Sequence, residues 1–184
     1  MEHYFENIHG YFNFNHLYDE MVEKYSSGSH FVEVGCWLGR SAVYLGVEIV
    51  NSGKDIKLDC IDTWSTSEDP GLIDEPPIKN GTLYADFLKN VEPLESVIKP
   101  IQMRSDEAYK LYEDESLEFV YIDADHSKKG IRADLNNWFP KVKKSGVLAG
   151  HDYDHPAIRE ELENFFTNKD YEVRGCSSWV HYKK

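Results

Sequence analysis

Short apolar runs bounded by turn residues alternate along this chain with stretches whose apolar positions recur every three or four residues. The runs near 30–35, 56–62, 98–103, 117–123 and 145–150 have the length and composition of strands. In the stretch from Gly130 to Pro140, Ile131, Leu135 and Trp138 fall at i, i+4 and i+7, and Ile158, Leu162, Phe165 and Phe166 repeat that spacing. Each of these segments therefore lays one helical stripe against a core. Strands and helices in alternation predict a parallel sheet with right-handed crossovers. Two further short runs, 171–175 and 178–182, predict an antiparallel pair that closes the sheet. Ahead of the first strand, Tyr4, Ile8, Tyr11 or Phe12, Leu17 or Tyr18, and Met21 recur at helical spacing. They predict one or two helices over residues 1–28, serving as a cover for the site, as a homo-oligomer surface or as a plain cap on the core.

Composition narrows this to one domain over residues 1–184, long enough to bury a sizeable core, with no internal repeat. A formal net charge of -13 speaks against nucleic acid or an anionic membrane as partner, because a phosphate surface calls for a concentrated basic face. The one basic cluster, Lys141, Lys143 and Lys144, reads as a solvated helix end. No apolar stretch is long enough to span a bilayer and residues 1–25 lack a signal-peptide profile, so a cytoplasmic protein with a small-molecule substrate is expected. Cys36, Cys60 and Cys176 have no metal-ligand spacing and read as small buried side chains. Residues 65–81 break the rhythm with Pro, Gly and acids, and a loop of that length predicts a substrate-side lid.

The first chemical cluster is Phe31-Val-Glu-Val-Gly-Cys-Trp-Leu-Gly-Arg-Ser41, a strand that ends in an acid and opens into glycines. Gly35 and Gly39 let a backbone approach a ligand closely, and a helix can start at Arg40. Trp37 stands where the dinucleotide fingerprint has its middle glycine, and the carboxylate of Glu33 repels phosphate. An acid there suits an ammonium or a sugar hydroxyl, which points to a cofactor with an amino-acid moiety. Asp62, at the end of the second strand in Cys60-Ile-Asp-Thr-Trp64, has the spacing of a ribose-binding acid. Trp64 either covers a base or fills the core.

The second cluster is Val120-Tyr-Ile-Asp-Ala-Asp-His126, answered by Gly150-His-Asp-Tyr-Asp154 at the end of the next strand. Asp123 and Asp125 point the same way if the strand persists and splay apart if it ends at Asp123. Carboxylates with a histidine at neighbouring strand ends suit Mg²⁺, Mn²⁺ or a similar ion, while the plain structural alternative is helix capping by Asp125 and Asp152.

The glycine segment resembles the first motif of class I S-adenosylmethionine-dependent methyltransferases. IDTW at 61–64, NGTLYADFLKNV at 80–91 and YIDADHSKKGIRADLNNWFPKVKKSGVLAGHDY at 121–153 resemble methyltransferase family 24, and more distantly the catechol and sugar O-methyltransferases. The resemblance implies an α/β fold: a Rossmann-like seven-stranded sheet, mostly parallel with an antiparallel C-terminal strand and helices on both faces. It implies S-adenosylmethionine as donor, held by Glu33, Gly35, Trp37, Gly39, Ser41, Asp62, Trp64, Ser105 and Asp123. Ser105 resembles the adenine-side contact and also reads as a helix N-cap. Asp123, His151 and Asp152 become the metal-ligand candidates, with Asp125, His126 or His151 in catalysis; His151 departs from the acid that metal-dependent relatives carry. The expected reaction is methyl transfer to a hydroxyl oxygen. A nicotinamide-dependent oxidoreductase could share the sheet, the glycine turn and Asp62, and a catalytically inert binding module could keep the whole fold.

Overall fold

The computed structural model describes residues 1–65, 73–175 and 177–184. Its seven strands are β1 (His30–Val34), β2 (Lys57–Asp62), β3 (Ile98–Gln102), β4 (Leu117–Ile122), β5 (Val142–Gly150), β6 (Glu172–Arg174) and β7 (Ser178–Tyr182). They form one sheet in the order β3-β2-β1-β4-β5-β7-β6. The first five are mutually parallel, and β7 runs antiparallel to both β5 and β6. The expected Rossmann-like sheet is therefore present. Its central strands β1 and β4 are almost wholly buried because helices cover both of their faces. The outer strand β3 carries Lys99 and Pro100, which discourage a further strand from pairing there.

One face of the sheet packs against α1 (Asn15–Lys24), α2 (Arg40–Ser52) and, after the short α3 (Pro76–Lys79), α4 (Leu83–Val91). The other face packs against the short α5 (Ser105–Ala108), α6 (Lys128–Trp138) and α7 (Pro156–Phe165). Alternation along β1 assigns its residues to these layers: Phe31 belongs to the first core, Val32 and Val34 to the second. Glu33 thus faces α2. The first core is unusually aromatic at its N-terminal end, where Phe12 packs at 4.8 Å from Phe14 and 4.9 Å from Tyr44.

The N-terminal segment holds one α-helix, α1, preceded by a 3-10 turn at Phe5–Asn7, within the one or two helices expected. Two local expectations change. Residues 65–81 are not one continuous loop, because Pro76 opens the short helix α3; the lid reading otherwise falls on 66–72, outside the described residues, as does Cys176. Lys143 and Lys144 are strand residues of β5 rather than a helix end, and Lys143 pairs with Glu118 on β4.

Among the described residues, no helix is long and apolar enough to cross a membrane.

Candidate active site

Val34 pairs with Ile61 of β2 on one side and with Ile122 of β4 on the other. Where these strands end, the chain immediately supplies Gly35, Asp62 and Asp123. Gly35 has φ +86°, and a Cβ there would lie 1.9 Å from the carbonyl oxygen of Asp123. The neighbouring strand end alone thus makes a close approach that demands glycine. Gly39, at φ +87°, starts α2, and its Cβ would meet Phe87 at 3.0 Å.

Asp62 clasps the turn. Its Oδ2 accepts from the backbone N–H of Cys36 at 2.8 Å and of Trp37 at 3.0 Å, and its Oδ1 accepts from the N–H of Trp64 at 2.8 Å. Both tryptophans have left-handed backbones, φ 49° and 44°, an arrangement that costs about 1–3 kcal/mol each and needs such anchoring. The Trp64 ring is buried 4.4 Å from Phe87 and 4.9 Å from Tyr84. Its Nε1–H donates to the Trp37 carbonyl at 2.9 Å. The ring thus fills the core, one of its two expected readings. Trp37 enters the site through its main chain, with Gly10 packed beside its ring.

Glu33 lies 1% exposed beneath this turn. Its Oε1 accepts from the Ser41 hydroxyl, which makes Ser41 a support for Glu33; its Oε2 carries no well-formed hydrogen bond, and the buried Tyr18 hydroxyl lies close enough to favour the charged carboxylate as well. Burial pushes the carboxyl up to about 8 against the opposing pull of the Ser41 bond. Cys36 and Cys60 bring their sulfurs within 4.8 Å of a Glu33 oxygen, but burial pushes both thiols up. The Cys36 thiol donates to the carbonyls of Glu33 and Ile61. They behave as small neutral side chains.

Beyond β4 the two aspartates splay. Asp125 turns to the start of α6, where its Oδ1 accepts from the N–H of Ser127 at 2.8 Å and its carboxyl crowds Gly130. It is a turn residue and not a base in the crevice. Asp123 instead meets His126 and Asp152: His126 Nε2 lies 3.1 Å from Asp152 Oδ2 and 3.8 Å from Asp123 Oδ1. One ligand atom from each of the three falls within 4.8 Å of the others. The carboxylates of Asp123 and Asp152 push His126 up to about 10, and His126 with His151 holds Asp152 well below the usual range. His151 stands aside, its Nδ1 3.2 Å from Asp152 Oδ1 and its Nε2 3.0 Å from Asn13 Oδ1. The third position of the cluster therefore belongs to His126 in place of His151. Asn13, which carries no motif, could not have been found from the chain alone.

Ser105 is not the N-cap it was expected to be. Its hydroxyl donates to Asp134 Oδ1 and accepts from Trp138 Nε1 at 2.8 Å, joining α5 to α6, while the N-cap position of α5 is Arg104. Burial pushes Asp134 up to about 7. The folded protein keeps this proton after the unfolded chain has lost it, so the contribution of Asp134 to stability is fullest below about pH 4 and declines towards pH 7. Asp134→Asn should remove that decline, a slope of at most about 1.4 kcal/mol per pH unit, in urea titrations between those limits. An unchanged slope would refute the assignment.

A family model described as a methyltransferase domain, that of methyltransferase family 24, matches residues 32–153. That span takes in both edges of the crevice. The chain belongs to this methyltransferase family. Its fold is similar to that of the O-methyltransferase NovP, with a TM-score of 0.70 at 13% identity over 92% of this chain and 79% of that one. The calicheamicin methyltransferase CalS11 gives 0.66 at 12% identity, over 91% and 76% of the two chains. Fibrillarin from Aeropyrum pernix, solved with bound S-adenosylmethionine, gives 0.56 at 12% identity, over 85% and 66%. These likenesses establish the class I methyltransferase fold. In sequence, the uncharacterized protein y4gI of Sinorhizobium fredii is 26% identical over 123 residues, which are 66% of this chain and 13% of that protein. The methyltransferase chain thus spans a small part of that relative's length.

Proposed function

We propose that the protein transfers a methyl group from S-adenosylmethionine to a hydroxyl oxygen of a small molecule. The observation that carries this reading is the double pairing of Val34, which sets the Asp62-clasped turn and the Asp123–His126–Asp152 cluster on either side of Gly35. Strand ends meeting where the strand order reverses form the usual ligand crevice of such sheets.

The residues present fit the donor. Oε2 of Glu33 carries no well-formed hydrogen bond, and a methionine ammonium beside it would supply the cation that returns the carboxyl, pushed up to about 8 by burial, to its charged form. Asp62 Oδ1, with one backbone partner, retains a lone pair for a ribose hydroxyl. Trp37 in the turn and Glu33 beneath it fit a nicotinamide dinucleotide poorly, since neither favours a pyrophosphate.

Two carboxylates and one imidazole are also a donor set for Mg²⁺ or Mn²⁺, and an ion held by Asp123, His126 and Asp152 would lower the pKa of a bound hydroxyl. The protein's own contribution is positional and electrostatic. Glu33 and Asp62 orient the donor, the crevice aligns the acceptor, and such alignment can supply roughly 7–11 kcal/mol of the barrier. Displacement forms an oxygen–carbon bond, breaks the sulfur–carbon bond and leaves a neutral thioether. Without an ion, the hydroxyl proton passes to a carboxylate of the cluster, Asp123 in this reading, and the protonated His126 offsets the charge developing on oxygen; an ion held by His126 would instead require its neutral imidazole.

Calorimetric titration with S-adenosylhomocysteine and with NADH tests the donor. Binding of the first alone is expected, and Asp62→Ala should weaken it by about 1.5–3 kcal/mol, the worth of hydrogen bonds to a charged group. Binding of NADH alone would move the protein to the oxidoreductases; binding of neither would favour an inert module.

A further inference from the structure

Glu33 stands on β1 in register with Cys60 of β2 and Tyr121 of β4, on the face of the sheet that meets α1 and α2. Three polar side chains around it already have partners. Ser41 donates to its Oε1, the Cys36 thiol donates to the carbonyls of Glu33 and Ile61, and the Tyr121 hydroxyl lies 3.2 Å from Ser178 Oγ. Tyr18 of α1 is the exception. Its ring is fully buried, with centroids 5.9 Å from Phe119 and 5.3 Å from Tyr121, successive residues on that face of β4. Their register partners on β1 are Phe31 and Glu33, so the ring lies along the row that leads to the acid. The Tyr18 hydroxyl is buried without a well-formed hydrogen bond, and so is Oε2 of Glu33. A donor and an acceptor left orphaned in one dry interior are costly unless they serve each other.

We propose that Tyr18 is a positioning residue for the donor: its hydroxyl donates to Oε2 of Glu33 and holds that oxygen on the ammonium of S-adenosylmethionine. The inference rests on the methyl-transfer reading above and adds α1 to the donor site. Tyr18 acts through Glu33 and touches no substrate atom. Burial pushes its hydroxyl well above the ordinary tyrosine value, with Glu33 the foremost charge acting on it, so it stays a donor. A carboxylate oxygen has two lone pairs and can serve Tyr18 and the ammonium at once. The bond is worth most when the donor is bound, because the ammonium draws Glu33 into its charged form and a charged acceptor holds a hydroxyl about twice as strongly as a neutral one. Ser41 cannot take this part, since it holds the other oxygen from α2. Two helices thus grip one carboxylate, an oxygen each.

The test uses the full chain, the near-isosteric Tyr18→Phe variant and two ligands titrated by calorimetry. S-adenosylhomocysteine carries the ammonium, whereas 5′-methylthioadenosine keeps the adenosine and the sulfur and lacks the amino-acid end. Tyr18→Phe should weaken S-adenosylhomocysteine roughly three- to thirtyfold, the worth of one hydrogen bond, and leave 5′-methylthioadenosine unchanged. In a Glu33→Gln background the same substitution should cost clearly less, because the charged acceptor is gone. A hydroxyl that served only the core would move both ligands alike in both backgrounds. Unchanged affinity for S-adenosylhomocysteine in Tyr18→Phe overturns the assignment, as does parallel weakening of the two ligands, an equal cost in the Glu33→Gln background or a variant that fails to fold. Each of these results leaves the donor reading standing when the wild type binds S-adenosylhomocysteine. Wild-type protein that does not bind it defeats the donor reading and the assignment with it.

Discussion

Asp123→Asn and Asp152→Asn should each lower methyl transfer by roughly 10²–10⁴, the range associated with losing a positioned proton acceptor, while affinity for S-adenosylhomocysteine changes little. The selectivity follows from the layout: these carboxylates meet His126 across the acceptor side, whereas Asp62 and Glu33 serve the donor turn from the other side of Gly35. Each substitution also withdraws one charge from a cluster whose three ligand atoms lie within 4.8 Å, so Mn²⁺ affinity measured by electron paramagnetic resonance should fall in parallel. His126→Gln should do the same, because His126 sits within this cluster and His151 does not. Once an acceptor turns over, chelator treatment followed by Mg²⁺ or Mn²⁺ add-back separates the two accounts of the edge. Full turnover in chelator would remove the ion and leave the carboxylate and the His126 cation. Unchanged turnover in both aspartate variants would remove the edge from the chemistry altogether.

The second large effect concerns the fold beneath the site. Gly35→Ala should destabilise the protein by roughly 3–5 kcal/mol, combining left-handed backbone strain with overlap that packing cannot relax. A Cβ at 1.9 Å from the Asp123 carbonyl cannot be accommodated by a rotamer change, because the atom it meets is backbone. Either β4 moves away from β1 or the turn loses the Asp62 clasp. Gly39→Ala should cost less, since the atoms it meets belong to the Phe87 ring and the Val91 side chain. Urea unfolding of the two variants, compared at equal m-value, checks the order; equal losses would show that the Asp123 contact does not decide it.

The strands, the two amphipathic helices and the antiparallel finish were legible because period and length are properties of local sequence. So were Glu33, Asp62, Asp123, His126 and Asp152, each standing at or just beyond a strand end. What the chain could not disclose was direction. Asp125 differs from Asp123 only in falling two residues later, after the strand has ended, and that suffices to turn it onto the Ser127 N–H. Ser105 was placed in the right loop, but its partners Asp134 and Trp138 come from a helix on the far side of β4 in sequence. His126, not His151, groups with Asp123 and Asp152, while His151 meets Asn13, a residue brought in by tertiary packing. Trp37 and Trp64 carried a hidden signal: left-handed tryptophans are rare, and the structure tolerates them beside the site because Asp62 holds both main chains.

The pairing of β1 with β4 also sets an order of assembly. The donor half, β1 to β2 through α2, is one local crossover unit, and the Asp62 clasp closes a loop of modest length. The acid edge joins it only when Phe119 aligns beside Phe31, a contact between distant parts of the chain. Contacts of that separation form late because the intervening chain must first be ordered. Ribosomal synthesis therefore delivers every residue of the Asp62-clasped turn well before those of the Asp123–His126–Asp152 cluster.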